Sequence, residues 1–444
     1  MSKWFFRSLL VAAAAAPFLM MGLRALGDED EGSIAQNEQR LIRDGRQTFR
    51  FDTFGDEAFW GDTLKLHQAI EGSALGGVGA GVSPAGALAV GLKVDADALP
   101  QSLVEDVGAG RVDLNSPATT LALLKLNAVV GITGFFNADG SLKSVGIQCA
   151  LCHSTVDTSF QAPGIPPGNI GRRLDGWANR DLNVGAIVNL SPDLSAPANL
   201  LGVDQSVVRK ALLAWGPGKF DAELFMDGKA FRPDGMTAAV LIPPAYGLAG
   251  VNLHTWTGWG SVIYWNAFVA NLEMHGKGRF FDSRLNDASR FPIAAANGFG
   301  NVIVSPADDR ITAKLAALHA YQLAIPAPQP PQSPSNFAAE RGEALFNGKA
   351  QCARCHVPPL FTEPGWNAHA PADVCVDSFQ ADRAPDGIYR TAPLGGLFAH
   401  QKGGFYHDGR FGALPDVVNH YNACMNLQLS DDEQSDIVQY LLTL

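Results

Sequence analysis

Two pentapeptides, Cys149-Ala-Leu-Cys152-His153 and Cys352-Ala-Arg-Cys355-His356, constrain this chain more than any other feature. A C-x-x-C-H run sets two thiols about one turn apart with a histidine directly after them. That spacing suits addition of both sulfurs to the vinyl groups of one haem, the histidine ligating its iron. The pattern predicts two covalently bound c-type haems, attached at Cys149, Cys152, Cys352 and Cys355, with His153 and His356 as axial ligands. A zinc site built from both cysteine pairs would use the same thiols. It leaves the following histidines, the export signal and the flanking helices without a reason.

The first residues read as an export signal. Lys3 and Arg7 flank the start of an apolar run, Ser8 to Leu23, and Ala25-Leu26-Gly27 offers small residues for cleavage before Asp28-Glu29-Asp30-Glu31. The run is short for a bilayer span, which takes about 20 residues. Residues 1–27 are therefore expected to be a cleaved signal peptide and the rest to be periplasmic or otherwise extracytoplasmic. A membrane tether follows only if the segment stays attached. In an oxidising compartment the two remaining cysteines, Cys375 and Cys424, are candidates for a disulfide, with two free buried thiols as the alternative. The bridge would close a loop of about 50 residues and add about 4 kcal/mol on the loop-entropy model. A formal net charge of −11 argues against nucleic acid as a partner.

With 444 residues, 47% of them hydrophobic, the chain can bury two or three cores. Five prolines between Ile325 and Pro334 exclude helix and central strand, so residues 326–335 are expected to form a semi-rigid linker between parts 28–325 and 336–444. In the second part Asn336 can cap a helix through Phe346 that leads into Cys352, and Ser430-Asp-Asp-Glu433 is a capping box for a final helix presenting Ile437, Tyr440, Leu441 and Leu444. The first part repeats this plan with insertions. Gly45-Arg-Gln-Thr-Phe49 echoes Gly342-Glu-Ala-Leu-Phe346, and Leu315 to Leu323 echoes the final helix. Between them, Ser73–Leu92 reads as loops with short helices, 118–131 as an apolar helix, and Asn137-Ala-Asp-Gly140 as a hairpin turn. The aromatic and acidic stretch from Arg50 to Trp60 is read either as packing beside the first haem or as capping the insertion. The expected fold is mainly α: two cytochrome-c-like haem domains, the first enlarged by irregular insertions.

The segment Arg390-Thr-Ala-Pro-Leu394, then Gly404-Phe-Tyr-His407-Asp-Gly-Arg-Phe, then Leu414-Pro-Asp-Val-Val-Asn-His420-Tyr421 resembles the bacterial dihaem cytochrome c peroxidase superfamily, including the dihaem quinone-cofactor-maturation enzyme and the rubber oxygenases. The resemblance is specific in the second part and looser in the first, and the long interval between pentapeptides is more like the rubber-oxygenase branch. It implies that the helix after His407 carries a ligand to the second iron. His420, Tyr421 and Met425 are the candidates, with Tyr421 at the family position. A tyrosine or histidine there would lower the potential relative to methionine. It also implies a tryptophan relay between haems, for which Trp256 and Trp259 compete with a simple core role. His254 and His275 are candidate distal groups at the first iron, against the plainer reading of core or surface histidines. The glutamate loop of the peroxidases has no convincing counterpart.

The resemblance implies a dihaem peroxidase-like oxidoreductase. Electrons from a small redox donor protein would enter at the second haem and reach the first, where peroxide is reduced or oxygen activated. Calcium is a further candidate cofactor. The alternatives are a pure electron carrier with both irons six-coordinate, and a dioxygenase like the rubber oxygenases.

Overall fold

The computed structural model describes residues 32–330, 336–400 and 402–444, so the export segment and the end of the proline linker lie outside the described residues. The chain is mainly helical, 44% helix against 9% strand. Among the described residues no helix is long and apolar enough to cross a membrane.

Each part is closed by a pair of crossing helices, and the two crossings are built alike. In the first, a helix over residues 32–51 packs on Leu315–Ala324. A Cβ on Gly45 would collide with the Ala317 carbonyl and Tyr321, while Phe49 meets the Tyr321 ring edge-on at 5.6 Å. In the second, Asn336–Asn347 packs on Asp431–Leu441. There Gly342 has the same lack of room against the Asp436 carbonyl and Tyr440, and Phe346 meets Tyr440 edge-on at 5.2 Å. Glycine permits the close backbone approach, and the aromatic pair fills the space beside it. The final helix opens with the expected capping box: Glu433 N–H donates to Ser430 Oγ, and Ser430 N–H to Glu433 Oε2. Asn336 is the first residue of its helix; its side chain lies outside the described residues.

The insertion ahead of the first pentapeptide is short helices and one hairpin. Leu66–Glu71 and Pro84–Ala89 are helical, with 3₁₀ turns at Ser73–Leu75 and Ala96–Ala98. Ile132–Phe136 pairs antiparallel with Leu142–Ile147 through the Asn137–Gly140 turn, where Gly140 takes φ +88°. The apolar helix expected over 118–131 spans only Pro117–Lys125. Asn127 turns left-handed (φ +51°), and the following backbone pairs with residues 93–95: Asp95 N–H donates to Ala128 O and Val130 N–H to Lys93 O. Apolarity alone could not show that those residues bury as a bridge and not as helix. The 50–60 stretch joins this insertion to a later segment. Trp60 Nε1–H donates to the Met274 carbonyl, 3.2 Å, and Phe59 stacks on His275 with centroids 3.6 Å apart.

The described half of the proline segment is not a free spacer. Gly247 N–H donates to Ile325 O, and Gly396 lies against Pro328 and Tyr246. Buried ion pairs join the two parts. Arg383, fully enclosed, bonds Asp221 at 2.9 Å and forks onto Asp227 at 2.8 and 3.0 Å.

Candidate haem centres

The second pentapeptide follows the Asn336–Asn347 helix into a 3₁₀ turn, Cys352–Arg354. Cys352 and Cys355 stay unbridged. They border a cavity of about 240 Å³ whose walls are largely apolar, among them Phe346, Leu394, Leu414, Val418 and Ile437. His356 reaches the same cavity, and its Nδ1–H donates to the Phe361 carbonyl at 3.0 Å. That bond fixes the tautomer with the lone pair on Nε2, as an iron ligand requires. Burial pushes the Cys352 thiol up to about 11 and lowers the His356 pKa. Both therefore stay neutral in an apolar site. Unbridged thiols, a pre-set imidazole and an apolar cavity fit a thioether-bound haem.

Of the three candidate ligands on the next helix, Leu414–Cys424 and its C-cap, Tyr421 and Met425 line the cavity. His420 does not. Its Nε2 bonds the Val374 carbonyl at 3.0 Å, beside the Cys375–Cys424 disulfide. Burial raises the Tyr421 pKa, and the Tyr406 ring lies beside it with centroids 6.2 Å apart. A helix places successive residues about 100° apart, so His420 and Tyr421 cannot both face one cavity.

The first pentapeptide is delivered by the hairpin: Ile147 leads through Gln148 to Cys149, and Ala150–His153 forms one helical turn. Cys149 and Cys152 are unbridged, and burial pushes both thiols to about 12. His153 repeats the arrangement of His356, its Nδ1–H donating to the Pro243 carbonyl at 3.1 Å. Burial lowers it to about 4, so its Nε2 remains a free base. The four pentapeptide thiols do not converge as a zinc site needs. The metal-competent groups among the described residues are Cys355/Glu363/His369 and Asp377/His407/Asp408. In the second group Arg232 and Arg410 already neutralise Asp408, which leaves little charge to attract calcium.

Sequence reasoning missed Glu273. It ends the wide helical turn Val269–Glu273, is half-buried with its Oε1 enclosed and unpartnered, and acts electrostatically on Cys152. Burial first, then Glu223 and Asp221, raise its pKa well above the usual carboxyl range. The available signal was a lone carboxylate closing the otherwise uncharged stretch from Val262 to Leu272. His275, two residues on, is committed to stacking on Phe59. His254 is buried with Nε2 on the Val251 carbonyl, 3.0 Å, and its titratable neighbours are Arg390 and His319.

The two tryptophans separate clearly. Trp259 is 1% exposed within an aromatic cluster, stacked on Phe291 at 5.4 Å. Trp256 lines the second cavity, and its Nε1–H donates to the Leu241 carbonyl at 2.8 Å. Leu241 lies two residues before Pro243, which both lines that cavity and accepts the His153 bond.

No family model matches the chain. The methylamine utilization protein MauG of Methylorubrum extorquens is 26% identical over 262 residues, 48% of this chain and 68% of that protein. Two solved structures overlap part of the fold. A MauG-like protein associated with microbial copper homeostasis shows 17% identity over 50% of this chain and 79% of its own, with TM-score 0.31. Hydrazine synthase of Kuenenia stuttgartiensis shows 15% identity over 50% and 86%, with TM-score 0.28. The two C-x-x-C-H pentapeptides and this similarity to MauG support the resemblance to the bacterial dihaem cytochrome c peroxidase superfamily.

Proposed function

We propose that this protein is an extracytoplasmic dihaem oxidoreductase of two cytochrome-c-like domains, 28–325 and 336–444, which takes electrons at the second centre and uses them on peroxide or oxygen at the first. One observation carries the reading. Both pentapeptide histidines hold Nδ1–H on a backbone carbonyl, Pro243 and Phe361, and so present Nε2 beside two unbridged thiols. When bound, haem supplies the redox chemistry; the chain binds, orients and moves protons.

In this reading Cys149 and Cys152 hold the first haem and His153 its iron, while Cys352, Cys355 and His356 hold the second. Tyr421, which lines the same cavity, would supply a further ligand to that haem's iron. Glu273 is the proton-handling group of the first centre. A carboxyl kept protonated at neutral pH can give a proton to a departing oxygen and recover it from solvent. Trp256 stands between the centres as the relay, and the donor is a small redox protein.

The test is spectroscopic. The purified mature protein should exceed its polypeptide mass by two haems and show a Soret band. Its ferric EPR spectrum should contain one high-spin centre that binds carbon monoxide after reduction. Two low-spin centres unreactive to carbon monoxide would instead mark a pure carrier. A mass equal to the polypeptide alone would remove the reading altogether.

A further inference from the structure

The second cavity is largely apolar, yet it carries cationic groups that no carboxylate among the described residues neutralises. Arg180 is 7% exposed and lines this cavity, with Nε and Nη1 buried and unpartnered. The carboxylate next to it in sequence, Asp181, is already held by Lys93 at 2.8 Å and by Lys402. Arg390 also lines the cavity. Its side-chain bonds run to the backbone carbonyls of Leu253 and Thr255, with no carboxylate partner among the described residues. His400 lines it as well, near Tyr246, with Nε2 buried and unpartnered.

A buried guanidinium without a counter-ion is strongly destabilising, and an unpaired buried donor adds to the cost. Such groups persist where a ligand completes them. A haem carries two carboxylates on one edge and is apolar elsewhere. Two guanidiniums without a carboxylate partner and a neutral imidazole in a largely apolar cavity match that distribution of charge.

We propose that Arg180 and Arg390, assisted by His400, bind the propionate carboxylates of the haem attached at Cys352 and Cys355. This rests on the haem reading above and adds a consequence to it. Arg180 belongs to the first part of the chain, so the second part's cofactor is clamped across the boundary and holds the two parts in register. A cation beside the propionates also offsets their negative charge and favours ferrous iron.

The experiment compares the full-length protein with Arg180→Gln, Arg180→Lys and His400→Asn by haem mass, spectroelectrochemical titration and the propionate bending bands of resonance Raman spectra. Arg180→Gln should lower the midpoint potential of the second haem and shift its propionate bands, leaving the first haem unchanged. Arg180→Lys should recover most of the potential but not the bands, because lysine keeps the charge without the fork. Two haems by mass with potentials and bands unmoved in Arg180→Gln would overturn the anchor and leave the dihaem reading standing. Absence of the second haem from wild type would overturn both. Should Arg180→Gln fail to fold, the Raman bands of His400→Asn decide in the same way.

Discussion

His153 Nδ1 and the Pro243 carbonyl lie 3.1 Å apart, and Pro243 is also part of the wall of the cavity that contains His356. The imidazole of one centre is thus hydrogen-bonded to a residue that borders the other. Trp256 is tied to the same short segment through Leu241. Electron exchange between the centres is therefore expected to depend on Trp256 and not on Trp259. Trp256→Phe should slow inter-haem electron transfer measured by flash photolysis, with both spectra intact. Trp259→Phe should instead lower stability, because it opens a gap in the cluster with Phe268 and Phe291.

Glu273 has an enclosed, unpartnered Oε1 and is electrostatically coupled to Cys152. Glu273→Gln keeps the shape and removes the transferable proton. Peroxide turnover should fall by about 10²–10⁴-fold, with the absorption spectrum unchanged. Retained turnover in stopped-flow assays would exclude Glu273 from the chemistry.

Asp56 is fully buried and accepts the Ile147 N–H, and burial raises its pKa from 3.8 to about 9. Between those values the unfolded chain has lost this proton and the folded chain keeps it. Folding then becomes less favourable as pH rises, by up to about 1.4 kcal/mol per unit from this group. Asp56→Asn should flatten the fall in stability from about pH 4 to pH 9, read from urea midpoints across that range.

Arg383 joins the two parts through Asp221 and Asp227 with no exposure to solvent. Arg383→Gln would leave two buried carboxylates without their cation, at a cost of about 3–5 kcal/mol. The expected outcome in urea unfolding is a lower midpoint, with the second part separating at lower denaturant than the first.

The attachment cysteines, the two histidines beside them, the hairpin turn and the Ser430 capping box are local patterns, and each is legible because a few adjacent residues specify its geometry. The paired glycines, Gly45 and Gly342, were also visible as an echo. That both are required by a helix crossing against Tyr321 and Tyr440 appears only in three dimensions. The choice between His420 and Tyr421 depends on which helix face meets the cavity, and the choice between Trp256 and Trp259 on which neighbours bury them. Glu273 and Arg180 carry no sequence motif. What marks them is burial without a partner, which is a relation among distant segments. Local chemistry was written in the order of residues; the electrostatics of the two centres was decided by packing, because desolvation depends on everything that surrounds a group and not on its neighbours in the chain.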